Sequence, residues 1–161
     1  DGMVGLGCGA RSYTASLHYS SEYAVGMTGI QEIIANYTRR ENEQFNWVDY
    51  GYKLNVDDRQ RRFLIQSLLQ SEGLDLNDYR ETFHTDALTD FPQLMDLVTL
   101  ELATLSKDCE GERVGSQEQF LIPNSQSKII LTPAGVEVSD TLGVWLYSPQ
   151  VKALMEGYTW H

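Results

Sequence analysis

The sequence predicts a mainly α-helical chain with a small β-hairpin, closing in a winged-helix-like C-terminal domain. Three observations predict it. Apolar residues recur with a 3.6-residue period in several separate stretches. Pro follows Thr132 and Ser148, which marks two helix starts near the end. Between the helical stretches lies a polar, glycine-containing tract that closes on the apolar strand Lys128 to Leu131, as a hairpin wing requires. The 161 residues suit one domain or two small ones, enough to bury roughly 70% of the unfolded surface. With 42% apolar and 22% charged residues the composition is that of a folded chain.

The elements follow in order. Met3-Val4-Gly5-Leu6-Gly7 reads as a short buried strand ending in glycines, and residues 8–26, rich in Gly, Ser and Tyr, read as a long loop. Thr28 to Gln31 has capping-box spacing, and Ile30, Ile33, Ile34 and Tyr37 give a three-turn helix that buries this stripe. Phe45 to Lys53, with Trp47, Tyr50 and Tyr52, reads as extended. A second helix starts near Asn55, with Asp57 and Asp58 at its positive dipole end and i, i+4 to Arg61 and Arg62. Leu64, Ile65, Leu68 and Leu69 form its apolar face, and Gly73 stops it in the left-handed conformation.

Leu74 to Phe83 adds one or two turns opened by Asn77 or Asp75. Thr89-Asp90-Phe91-Pro92 starts a long third helix marked by Leu94, Leu97, Val98 and Leu105. Residues 106–127 form a loop or hairpin, with Phe120-Leu121-Ile122 as a weak strand. Thr132-Pro133 opens a helix that buries Val138, Leu142, Trp145 and Leu146. Ser148-Pro149 opens a last one, lined by Val151, Leu154 and Met155 and stopped at Gly157.

Net charge is −11, from 23 acids against 12 Lys and Arg. That field repels a phosphate backbone, and the basic clusters Arg39-Arg40 and Arg59, Arg61, Arg62 are flanked by acids, so nucleic acid is not expected as a partner. No run approaches the roughly 20 apolar residues of a membrane span, and no signal peptide opens the chain, so a cytoplasmic protein without a membrane partner is expected. The start at Asp1 rather than Met leads to the expectation that a segment precedes it. Cys8 and Cys109 are too few and too far apart for a disulfide framework or a zinc site, so no metal site is expected. As a lone thiol, Cys8 reads as a small buried residue.

No Ser-His-Asp set, P-loop or carboxylate pair for acid–base work stands out, so no catalytic residue is assigned. Gly5-Leu6-Gly7-Cys8-Gly9-Ala10 satisfies the dinucleotide fingerprint in letters, but no helical period follows it to receive a pyrophosphate. A glycine-ended strand approached closely by another ligand is the better reading. His18, among Tyr13, Tyr19 and Tyr23, is a candidate pocket residue.

Val4-Gly5-Leu6-Gly7-Cys8-Gly9-Ala10-Arg11-Ser12-Tyr13 resembles the segment that closes the barrel in radical-SAM enzymes of the oxygen-independent coproporphyrinogen III oxidase family. Gly5, Gly7, Ala10 and Ser12 match its Gly-x-Gly-x-x-Ala-x-Ser pattern. Leu54 to Arg59 is similar to the family's helix entry, and Leu131-Thr132-Pro133-Ala134-Gly135 to its LTP-x-G segment. The resemblance implies a division into 1–26, a remnant of the barrel edge and loop; 27–53, a connecting helix and segment; and 54–161, the winged-helix-like domain.

It further implies the lid of an oxidoreductase of porphyrin and haem biosynthesis, in which a [4Fe-4S] cluster and S-adenosylmethionine generate the radical. Gly7, Cys8, Gly9 and Ala10 would border the cofactor, with Arg11, Tyr13, His18 and Tyr19 on the substrate side. The partners implied are the N-terminal barrel of the same chain and a small molecule, a porphyrinogen in the type reaction. The family's Cys-x-x-x-Cys-x-x-Cys is absent, so these 161 residues alone are expected to be inert. The alternatives are a winged-helix module binding nucleic acid or protein, and a non-catalytic tetrapyrrole-binding domain.

Overall fold

In the computed structural model, residues 2–22, 24, 26–108 and 126–157 are described. The chain divides into two compact units, Gln60–Tyr147 and the remainder, Asp1–Arg59 with Ser148–His161.

The first unit is built on a three-stranded antiparallel sheet in the order β1-β2-β3, with β1 at Arg11–Tyr13, β2 at Leu17–Ser20 and β3 at Tyr50–Lys53. The stretch expected as a loop is therefore a hairpin. The Thr14 N–H donates to the Leu17 carbonyl (2.8 Å) and the Thr14 hydroxyl accepts the Leu17 N–H (3.1 Å), so the turn satisfies itself. A two-residue alternation over strands of three and four residues is too short to announce itself in sequence. The expected strand at Met3 to Gly7 reduces to one bridge, Met3 to Tyr13, and its side chains are not buried: Val4 and Leu6 are 71% and 91% exposed.

Helix α1 (Met27–Arg39) forms as the period requires, but its N-cap is Gly26 and no side chain caps it. Thr28 lies inside the helix, so the expected capping box does not form. Nor is the stripe buried: α1 holds no buried residue, and Ile30 and Ile34 stay exposed. A 3-10 turn at Asn42–Asn46 follows, closed by a reciprocal Glu41–Gln44 capping box.

Helix α2 (Val56–Leu68) leaves this unit and enters the second. It starts at the expected place because Asn55 Oδ1 accepts the Asp58 N–H (2.8 Å) while Asp58 Oδ2 accepts the Asn55 N–H (3.4 Å). Leu64 and Leu68 are buried, whereas Leu69 is exposed. Gly73 has φ +72°, and an added Cβ would meet the Ile129 carbonyl at 2.5 Å, so both conformation and space demand glycine there.

After β4 (Leu74–Asp75) comes α3 (Leu76–Phe83), capped by Asp75, whose carboxylate accepts the Asn77 and Asp78 N–H groups. The expected long third helix is instead α4 (Ala87–Asp90) and α5 (Leu94–Thr99), interrupted at Phe91-Pro92. Glu101, at φ +58°, closes α5 with the Leu102 N–H donating back to Leu97 (2.8 Å), a Schellman end without glycine. Leu105 is consequently not helical but lies in β5 (Ala103–Asp108), paired with β6 (Gln126–Leu131). The weak strand expected at Phe120 to Ile122 falls outside the described residues.

The second sheet is antiparallel in the order β4-β6-β5. Four helical segments, α2 to α5, with a hairpin whose second strand pairs with the short strand β4, make the winged-helix-like arrangement. The described residues are mainly helical, with two small antiparallel sheets. Thr132 caps α6 (Pro133–Glu137) by accepting the Gly135 N–H (3.2 Å), and α7 (Ser139–Trp145) follows a break at Val138. Leu142 and Leu146 are buried as expected, but Val138 and Trp145 are 38% and 36% exposed, because one continuous helix became two. Ser148 then caps α8 (Pro149–Glu156), which buries no side chain. Among the described residues no helix is long and apolar enough to cross a membrane.

Candidate functional site

The glycine-rich segment is held to β1 at both ends and bulges between. The Met3 N–H and carbonyl pair with Tyr13 (2.8 and 2.9 Å), and the Gly5 N–H donates to the buried Ser12 hydroxyl (2.9 Å). Gly7 and Gly9 turn the chain at φ +106° and +72°, with nothing within 4 Å of where a Cβ would stand. Their role is conformational, since the left-handed region costs a side chain about 1–2 kcal/mol.

Two open cavities flank this turn. One, of about 380 Å³, lies between Cys8, Gly9, Glu22 and Ala24 on one side and Ile30, Ile33 and Ile34 of α1 on the other. The second, of about 260 Å³, is lined by Gly7, Ala10, Ser12, Tyr19, Tyr37, Phe45 and Trp47, with Tyr37 and Phe45 edge to face at 5.3 Å. The four residues expected to border a cofactor thus divide: Cys8 and Gly9 face one cavity, Gly7 and Ala10 the other. Cys8 is an exposed thiol, not the small buried residue expected.

The substrate-side set divides as well. Ser12 pairs with Tyr19 across the hairpin, and Tyr13 with His18, so the two pairs stand on opposite faces of the sheet. Tyr19 lines the second cavity. Tyr13 and His18 meet edge to face at 5.8 Å, and Arg11 is exposed at the start of β1.

One polar cluster was not foreseen. Asp58, read in sequence as a dipole-facing surface residue, is 4% exposed. It accepts the Tyr52 hydroxyl (2.8 Å) and the Ser148 hydroxyl (2.6 Å). Burial, and next the hydrogen bond to Asp58, push the Tyr52 phenol up to about 12. Helix periodicity identified α2, but nothing in it says that β3 and the residue capping α8 meet at Asp58.

The residues present do not fit an iron–sulfur cluster. The whole chain has two cysteines, one fewer than the three thiolates the implied motif supplies. For S-adenosylmethionine, the Gly7 to Ala10 turn offers open backbone and apolar walls, a partial fit with no charged partner beyond Glu22 at the first cavity.

No family model and no curated protein matches the sequence. A chain in the crystal structure of an S. aureus MepR–DNA complex is similar at 16% identity, over 82% of this chain and 92% of that one, with a TM-score of 0.32. The expectation that excluded nucleic acid as a partner is corrected: the similar chain comes from a complex with DNA. Overall charge excluded nucleic acid only by averaging over the molecule. A likeness this slight does not, in turn, assign a ligand to this chain.

Proposed function

We propose that this chain is an interaction module, a self-sufficient winged-helix unit carrying a second unit made to be covered by a larger body. One observation carries the reading. Every fully buried hydrophobic residue among those described, from Leu64 to Leu146, belongs to the unit 60–147. The other unit leaves Met3, Val4, Leu6, Met27, Phe45 and Trp47 exposed. Apolar surface in that quantity marks an interface.

The order of motifs supports a finer reading of the covering body: the barrel of a radical-SAM oxidoreductase resembling oxygen-independent coproporphyrinogen III oxidase. Cluster and S-adenosylmethionine would supply the radical chemistry from the barrel. This chain would close the pocket and exclude water, with the Gly7 to Ala10 turn at the cofactor's margin. The test is anaerobic reconstitution of a protein that carries this chain behind a barrel. It is expected to bind a cluster and cleave S-adenosylmethionine, while residues 1–161 alone do neither. A parent sequence without an upstream cysteine triad would end the reading.

The β4-β6-β5 sheet beside α2 to α5 favours a second reading, a winged-helix surface that engages nucleic acid or a protein. Duplex titration at rising salt separates the two. Binding that weakens linearly in log–log form supports a nucleic-acid site, and a flat response removes it.

A further inference from the structure

The chain leaves the first unit after Arg59 and returns to it at Ser148. What returns is α8, and it buries no side chain; Leu154 and Met155 are 56% and 54% exposed. Apolar packing is therefore not what holds it. At its first turn, however, the Ser148 hydroxyl, on a residue only 3% exposed, donates to Asp58 Oδ1 at 2.6 Å. A weaker contact joins Asn55 Nδ2 to Gln150 Oε1 at 3.5 Å. The same Ser148 oxygen accepts the Val151 N–H (3.2 Å), so one hydroxyl both starts the helix and fastens it.

Asp58 in turn accepts the Tyr52 hydroxyl from β3 and the Asn55 N–H from the start of α2. A carboxylate taken out of water is costly unless its oxygens are bonded, and here three donors from three segments converge on it. The Ser148–Asp58 bond is the water-shielded part of the hold on α8.

We propose that α8 is a releasable strap, fastened to the first unit by the buried Ser148–Asp58 clasp. Opening the clasp frees residues 149–157 and unveils Asp58 and Tyr52, and leaves the winged-helix unit folded, since its core contains no residue of α8.

Amide hydrogen exchange on the whole chain tests this. Asp58→Asn weakens the clasp and leaves the α8 cap in place. Ser148→Asp keeps an N-capping side chain but sets a second carboxylate against Asp58. Each is expected to speed exchange across 149–157 by about tenfold or more, the weight of one hydrogen bond to a charged group. Protection in α3 and β6 stays unchanged, and Asp58→Asn combined with Ser148→Ala is no faster than Ser148→Ala alone, because the alanine has already removed the bond to Asp58. Unaltered exchange in α8 overturns the proposal. So does global unfolding of either variant, because the clasp would then hold the fold rather than a strap.

Discussion

The two units solve the problem of burial in opposite ways. In 60–147, Leu64, Tyr79, Phe91, Leu94, Ile129 and Leu146 interlock at 2% exposure or less, with Phe63 edge-on to both Tyr79 and Phe83. Among the described residues of 2–59 and 148–157, the buried ones are Ser12, Asp58 and Ser148, all polar. The helices of both units carry apolar stripes of similar quality in sequence. The lesson is that a stripe states what a helix offers, whereas its neighbours decide whether the offer is taken.

The comparison breaks most readily at the core. Leu94→Ala is expected to destabilise 60–147 by about 2–5 kcal/mol, seen as a lower urea midpoint at constant slope. Ile34→Ala on the exposed stripe of α1 should stay within about 0.5 kcal/mol in the same assay. Equal costs would mean that the first unit has a core after all.

A smaller effect compares the two buried phenols. The Tyr79 hydroxyl donates to Asp90 Oδ2 (2.8 Å), and burial followed by that bond raises its pKa as they do for Tyr52. The neutral forms are the stable ones. Their contribution is complete below the unfolded phenol value of about 10 and is lost as pH rises through the folded values. Thermal stability is therefore expected to fall above that pH. Tyr79→Phe should cost about 1–3 kcal/mol at neutral pH and flatten the alkaline decline. An unchanged decline would assign it to Tyr52 and the first unit.

The smallest expected effect sits at the start of α4. Asp86 accepts the Leu88 and Thr89 N–H groups and meets Arg80 at 2.8 Å. The Arg80 hydrogen bond leads in lowering its pKa, against the opposing cost of burial. A lowered folded pKa means stability present above the unfolded carboxylate value, about 3.9, and lost as pH falls through the folded one. Because the pair is well exposed, Asp86→Ala should cost only about 0.5–1 kcal/mol. The acid limb of the unfolding curve checks it.

What could be read from residues alone was local. Asn55, Asp75, Thr132 and Ser148 open helices where their side chains say they should, because a capping bond spans three residues and needs no distant partner. Gly73 adopts the left-handed conformation expected of it, although α2 already ends at Leu68. The α5 to β5 passage was illegible for the converse reason: its left-handed residue is Glu101, so no glycine marked the end, and Leu105 continued a helical period by chance. The hairpin at Arg11 to Ser20 was equally hidden, its strands too short to display alternation.

The sequence by itself determined the helix starts at Asn55, Asp75, Thr132 and Ser148, the composition of a folded chain and the winged-helix order of elements, since each depends on neighbours within one or two turns. Only the tertiary structure decided which apolar stripes are buried and which bare, that Gly7 to Ala10 divides two cavities, and that Asp58 joins β3 to α8. Those facts depend on residues distant in the chain meeting in space, Asp58 and Ser148 across 90 positions among them, and no local pattern encodes such a meeting.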